Sequence, residues 1–294
     1  MINILMIGGD ERQLYAANAL EQQGCAVEIY GNDRDDKVRA LQVEDLFLSL
    51  SEKKDKTVVL PLPASRDQST IHMPYFDKEL SFLRLSEALS AERHELMGGM
   101  LPETWTFILG QKGIRTVDYF KDECLIIKNS VPTAEGVLGV LIANLPITLK
   151  NSSCVVFGFG RCGRAIAHSL LANGARVSVA ARSSKALKEA EALGCTPVPI
   201  ELFLQSAHTY DALINTIPHP VVNVQILSAL RKDCPIVEIA SAPYGVDFQS
   251  ARSLGLRVLK EGSLPGRTSP KSAGQYIADT IISHIIGSDT DAKN

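Results

Sequence analysis

The stretch that decides the fold is CVVFGFGRCGRAIAHSLLANGARVSVAARSSK, residues 154–185. Residues 155–157 form a short apolar run of strand length, and Gly158, Gly160 and Gly163 fall on the spacing G-x-G-x-x-G. Residues 164–173 carry apolar side chains at helical intervals and stop before Gly174, a favourable residue just past a helix C-terminus. Residues 176–181 read as a second strand. A glycine triplet alone says little, but one that follows a strand, opens a helix and leads to another strand has the context of a dinucleotide cradle. Its first glycine permits the tight turn, its second lets a pyrophosphate approach the backbone, and its third lets helix and strand pack closely. Arg161 and Cys162 lie inside this turn, where the helix N-terminus offers N–H groups to phosphate.

The end of the second strand selects the cofactor. A site for NAD usually places Asp or Glu there for the ribose hydroxyls. This chain has Ala181, Arg182, Ser183, Ser184 and Lys185, with no carboxylate to repel a 2′-phosphate. Arg182 can grip a phosphate through its planar fork, and Ser183 and Lys185 add donors, so NADP is the expected cofactor.

Downstream, a helix over 185–193 and strands over 212–217, 236–240 and 256–259 continue the alternation, and a last helix is expected over 273–286. Such alternation implies a doubly wound parallel sheet whose ligands sit at the carboxyl ends of the strands. Three loops fall there: Asn215, Thr216, Ile217 and Pro218; Ser241 to Gly245; and Gly262 to Gly266, which contains Leu264, Pro265 and Gly266. The first of these passes beside the nicotinamide in a Rossmann domain. Glu238, within its strand, is either a core carboxylate or a ligand contact.

Upstream, the chain repeats the theme. An apolar run over 2–7 leads into GGDERQ, a helix over 11–23 and a strand over 26–30. Residues 57–60 read as a further strand ended by Pro61 and Pro63, residues 82–97 as a helix, and 105–109 and 124–127 as strands. In KNSVPTAEGVLGVLIANLP, Pro132 suits a first helical turn and Pro146 closes the helix. The chain is thus expected to be α/β, with two doubly wound Rossmann-like domains, a cleft between them and a long helix linking them. The expected boundaries are a flavodoxin- or Rossmann-like substrate domain over 1–130, the connecting helix over 131–150, the NADP domain over 151–270, and a terminal helix over 271–294 packing back at the junction.

Composition bounds the class. Of 294 residues, 45% are hydrophobic and 21% charged, which suits a globular chain with sizeable cores. A net charge of -3 gives no global positive field for nucleic acid or anionic lipid. No apolar run reads as a bilayer span, and the N-terminus lacks the features of a signal peptide, so a cytoplasmic protein without membrane or nucleic-acid partners is expected. The six cysteines form no close pair and the six histidines show no metal spacing, so reduced thiols and no metal are expected. Carboxylates on a substrate would need Arg or helix-N-terminal donors. Asp10 and Arg12 in GGDERQ, Ser65 and Arg66 after the strand at 57–60, and Asn129, Ser130, Thr133 and Glu135 at the start of the connecting helix are the residues placed to supply them.

GGDERQ, NSVPTAEG, GFGRCG, VAARSS, INTIP, EIASAPYGVDF and GSLPGRTSPKSAGQ together resemble, in the same order and over nearly the whole chain, the A-subunit of bacterial dipicolinate synthase. The resemblance implies a sporulation protein of the mother-cell cytoplasm. The implied reaction is an NADP-linked oxidation of a dihydrodipicolinate, derived from the lysine-pathway aldol product, to pyridine-2,6-dicarboxylate. It also implies a flavoprotein-like B-subunit of dipicolinate synthase as partner and leaves self-association open. SAPYGVDF departs from the glycine-richer PGG expected there, which puts Tyr244 on the loop's lip. For that reaction, Asp10, Arg12, Ser65, Asn129, Ser130, Thr133 and Ser241 are the expected substrate contacts, and Glu135 and Lys271 the expected proton carriers. Two other readings compete. One is an NADP-binding regulatory protein that shares its chemistry with the flavoprotein-like partner. The other is a relative of 2-hydroxyacid or alanine dehydrogenases, which would carry a cleft His paired with a carboxylate.

Overall fold

A computed structural model describes residues 1–34, 40–41 and 43–291. The elements run β1 (Asn3–Ile7), α1 (Glu11–Gln22), β2 (Ala26–Tyr30), β3 (Ala40–Leu41), α2 (Val43–Ser51), β4 (Lys56–Val59), α3 (Phe82–Ala88), β5 (His94–Gly98), α4 (Glu103–Gln111), β6 (Thr116–Asp118) and α5 (Glu123–Asn144). They continue β7 (Ser153–Phe157), α6 (Arg161–Ala172), β8 (Arg176–Ala181), α7 (Ser184–Ala192), β9 (Thr196–Pro199), β10 (Ala212–Asn215), α8 (Val224–Ala229), β11 (Ile236–Glu238), α9 (Phe248–Ser253), β12 (Val258–Lys260), α10 (Leu264–Thr268) and α11 (Pro270–Asp291). The chain divides into two compact units: Met1–Lys128 with Ser269–Asn294, and Asn129–Thr268.

The first unit holds one parallel sheet in the order β3-β2-β1-β4-β5-β6. Its central strand shows why both faces must be covered. Leu5 and Ile7 pack with Leu46, Leu85 and Trp105 on one face, while Ile4 and Met6 pack with Leu20, Ile277 and Ile281 on the other. A continuous apolar strand such as NILMI suits this two-sided burial. α11 packs along α1, although the two are far apart in sequence. Gly274 permits that approach: a Cβ there would stand 2.5 Å from the Arg12 carbonyl oxygen.

The second unit repeats the plan as β12-β11-β10-β7-β8-β9, also all parallel. Counted within each unit, both orders are 3-2-1-4-5-6, the dinucleotide-fold order rather than that of flavodoxin. Cys154 and Val156 face α6 and the later part of α5 through Ile166, Leu170, Val137 and Leu141. Val155 and Phe157 face Phe203, Leu227 and Ala251.

Several local expectations are corrected. Residues 82–97 are not one helix: α3 ends at Ala88, and His94 Nδ1 accepts from the Ser90 N–H at 2.9 Å to turn the chain into β5. Residues 105–109 are helical rather than extended, because Trp105 and Leu109, four apart, share one buried face of α4. Residues 124–127 are the first turn of α5, where Asp122 accepts from the Leu125 N–H at 3.0 Å. The helix therefore starts well before Pro132, which lies in its interior. By length and composition alone, α5 is also apolar enough to cross a bilayer, contrary to the sequence reading. Leu125, Val137 and Leu141 are fully buried, as in the core helix of a globular fold.

Candidate functional site

The three glycines after β7 do three different things. Gly158 takes φ +92, and a Cβ there would stand 2.5 Å from Thr216 Oγ1 and 2.8 Å from Ile217 Cγ1. It thus allows the turn and lets the loop after β10 close against it. A Cβ on Gly163 would collide with the Gly158 carbonyl oxygen, so helix and turn touch only because this residue has no side chain. Gly160 is the opposite case. It is the N-cap of α6, gives no side-chain cap, and a Cβ there would meet nothing within 4 Å. The space beside a helix start is open where a phosphate needs it, so these residues fit a dinucleotide. Arg161 is exposed on the first turn of α6. The Cys162 thiol is pushed up from its ordinary pKa by burial and so stays protonated.

The turn lies where β7 separates β8 from β10, the topological switch point at which such sheets bind ligands. Thr216 donates from Oγ1 to the Phe157 carbonyl at 2.8 Å and is half-buried beside Ile217, while Pro218 is exposed. Asn215 is fully buried. Its Nδ2 donates to Glu238 and to the Ile217 carbonyl, and its Oδ1 accepts from the Ile217 N–H at 3.2 Å. Its side chain therefore shapes the loop from inside. Ser241 is exposed beyond β11. Leu264, Pro265 and Gly266 do not form a loop as expected: they open α10, and Leu264 is buried with its side chain over Gly136.

At the end of β8, Arg182 is exposed and has no carboxylate partner among the described residues. Ser183 is the N-cap of α7, accepting from the Ala186 N–H at 3.4 Å. Lys185 is exposed, with Glu189 4.0 Å away. The strand end is therefore open and basic.

The first unit's turn is built differently. Asp10 is the N-cap of α1, and Arg12 is buried against it, donating from Nε at 2.9 Å and Nη2 at 2.8 Å to the carboxylate and from Nη2 to the Leu62 carbonyl at 2.5 Å. This corrects the picture of Arg12 as an open carboxylate clamp, because its fork is already occupied. Ser65 is likewise engaged, donating to Asp67 at 3.0 Å and accepting from the Gln68 N–H at 2.9 Å. Arg66 is exposed and has no ion-pair partner among the described residues. It lines a cavity of about 310 Å³ with Thr70, His72, Phe76 and Lys78. Burial, with Arg66 nearby, pushes His72 down to about 4, so its ring is neutral at pH 7.

Asn129, Ser130 and Thr133 are not at a helix start. They sit within α5, where Thr133 Oγ1 donates back to the Asn129 carbonyl at 2.8 Å. Asn129 and Ser130 are buried, and Asn129 Oδ1 has no hydrogen-bond partner among the described residues. Glu135 is exposed on α5 in the second unit, and Lys271 is exposed at the start of α11 in the first. Sequence reasoning passes over His72, which has no motif around it, and Lys260, whose ammonium lies 4.0 Å over the Tyr244 ring. It leaves Glu238 undecided between core and ligand.

Residues 3–120 match the family model of the N-terminal domain of the dipicolinate synthase A-subunit. Residues 145–251 match the model described as "Putative NAD(P)-binding", which covers the glycine turn and both flanking loops. The chain is 29% identical over 280 residues to the dipicolinate synthase A-subunit of Bacillus subtilis, spanning 95% of this chain and 94% of that one. The crystal structure of the dipicolinate synthase A-subunit from Bacillus halodurans superposes with a TM-score of 0.86 at 25% identity, covering 96% and 97% of the two chains. That of the Bacillus subtilis protein gives 0.84 at 29%, covering 100% and 98%. With one domain model on each unit and full-length likeness in sequence and fold, the chain is similar throughout to the dipicolinate synthase A-subunits and is an oxidoreductase-like protein with an NAD(P)-binding domain.

Proposed function

We propose that this chain oxidises a dihydrodipicolinate to dipicolinate with NADP+, as the A-subunit of a dipicolinate synthase that works beside a flavoprotein-like B-subunit in the cytoplasm of a sporulating mother cell. The observation that carries the reading is the open helix start at Gly160 followed by Arg182, exposed and without a carboxylate partner among the described residues, inside a chain with full-length likeness to the dipicolinate synthase A-subunits. Aromatising the dihydropyridine ring releases one hydride and one proton, and bound NADP+ supplies the acceptor for the hydride. The gain in aromaticity drives the reaction, so the protein's main work is to orient ring and cofactor. Thr216, Ile217 and Ser241 border the cofactor's reactive end. Arg66, exposed and without an ion-pair partner among the described residues, takes the carboxylate-binding role expected of Arg12. Glu135 and Lys271, both exposed, are the proton carriers of this reading.

The test is direct. Purified chain is mixed with NADP+ and freshly generated dihydrodipicolinate, and NADPH formation is followed with and without the flavoprotein-like partner. NADPH formed by the chain alone supports the reading. Strict dependence on the partner favours a shared or regulatory role, and equal or better turnover with NAD+ overturns the cofactor assignment.

A further inference from the structure

Glu238 is the last residue of β11 and is 1% exposed, yet it forms no ion pair among the described residues. A buried carboxylate without a cation is held only where its oxygens are filled by donors. Here they are. Oε1 accepts from the Ala240 N–H at 2.9 Å, and Oε2 accepts from the N–H groups of Gly245 and Val246, both at 2.9 Å. Asn215 Nδ2, at the end of β10, bridges both oxygens at 2.9 and 3.0 Å. The Gly245 carbonyl then accepts from the N–H groups of Val221 and Val222, at 3.0 and 2.9 Å. One carboxylate therefore stitches the loop after β10 to the loop after β11. A Cβ on Gly245 would break the stitch, because it would strike Asn215 Nδ2 and stand 2.5 Å from the Ile217 carbonyl.

All the groups around the carboxylate are donors, and only an acceptor-only side chain can satisfy them together. Glutamine would turn an NH2 group toward one of these N–H groups. The same two loops border the switch point where the nicotinamide half of a dinucleotide lies in this topology, whereas the adenosine half lies toward β8. We infer that Glu238 is the positioning residue for the nicotinamide half of the cofactor site, and that it acts through Asn215 and the 240–246 loop without touching the cofactor. The inference rests on the cofactor reading above.

The test uses the full chain and two probes: NADPH, followed by its fluorescence on binding, and 2′,5′-ADP, which carries only the adenosine half. In Glu238→Gln the dissociation constant for NADPH should rise about tenfold or more while that for 2′,5′-ADP stays within about twofold. Gly245→Ala, which leaves the carboxylate in place, should show the same split and is read in its stead if Glu238→Gln does not fold. Unchanged NADPH affinity overturns the assignment, and so does an equal loss for both probes, which would mark Glu238 as a general requirement of the fold. A wild-type chain that binds neither probe overturns the cofactor reading, and the assignment with it. Binding of 2′,5′-ADP by wild type together with an unsplit variant overturns the assignment alone.

Discussion

After β1 the chain turns through Gly8, Gly9 and Asp10; after β7 it turns through Gly158, Phe159 and Gly160. Both turns lead from the first strand of a 3-2-1-4-5-6 sheet into a helix of the same length. What covers them differs. A Cβ on Gly8 would stand 2.5 Å from Met73 Cγ and 2.8 Å from the His72 carbonyl oxygen, and the Gly9 N–H donates to that same carbonyl at 2.9 Å. The first turn is thus closed by the chain's own 72–73 segment, and its helix is capped by the Asp10 carboxylate. The second turn has a glycine cap with open space beside it. Topology makes a crevice at both places; the second leaves its helix start open to a phosphate, and the first fills that space with its own chain.

The largest effect should come from unmaking the closed turn. Asp10→Ala leaves the Arg12 guanidinium buried and without its carboxylate, and should cost about 3–5 kcal/mol in a urea-unfolding measurement of the first unit. NADPH affinity should be unchanged. If affinity collapses instead, the first turn belongs to the cofactor site and the contrast is wrong. Next, Gly160→Asp would give the open turn the cap of the closed one. Because a side chain there meets nothing, the fold should persist, while NADPH binding weakens roughly 100-fold, measured by fluorescence titration. Arg182→Asp should weaken NADPH by roughly 30-fold and narrow its margin over NADH, through loss of a charge-assisted contact. Equal losses for the two cofactors would contradict the role given to Arg182.

The smallest effect concerns the covering segment itself. His72 has a folded pKa of about 4, below its unfolded value, so between the two the unfolded chain binds more protons. Stability contributed by the neutral ring is therefore present above about pH 6.5 and is lost as the pH falls toward 4. Partial exposure discounts the effect to about 1 kcal/mol between pH 7 and pH 5. His72→Gln should flatten that part of the stability-against-pH curve. An unchanged slope would place the titration elsewhere, with His94, also lowered by burial, as the group to test.

Which features are legible follows from how local they are. The strands on either side of Gly158, the glycine spacing and the missing carboxylate at position 182 are near-neighbour patterns, and they appear in the structure as read. The helix containing Trp105 reads as a strand because aromatic and β-branched residues favour both extended chains and buried helix faces, and only packing chooses between them. The start of α5 reads too late because Pro132 suits a first turn, whereas the interior of this helix accommodates it. Tyr244 stands where glycine is expected and takes φ +67, the left-handed conformation that glycine adopts freely. The departure is visible in the sequence, but the backbone reason for it is not.

The sequence by itself determined two α/β halves, the place of the glycine cradle and the basic strand end beyond it, because strand period, helix period and turn chemistry are written within a few residues. Only the tertiary structure decided that Met73 and His72 close the first turn, that Asp10 occupies the fork of Arg12, and that Glu238 gathers donors from Asn215, Ala240, Gly245 and Val246. Those outcomes depend on groups brought together from different segments, where burial turns an unpaired polar group into a cost that the fold must meet with a partner.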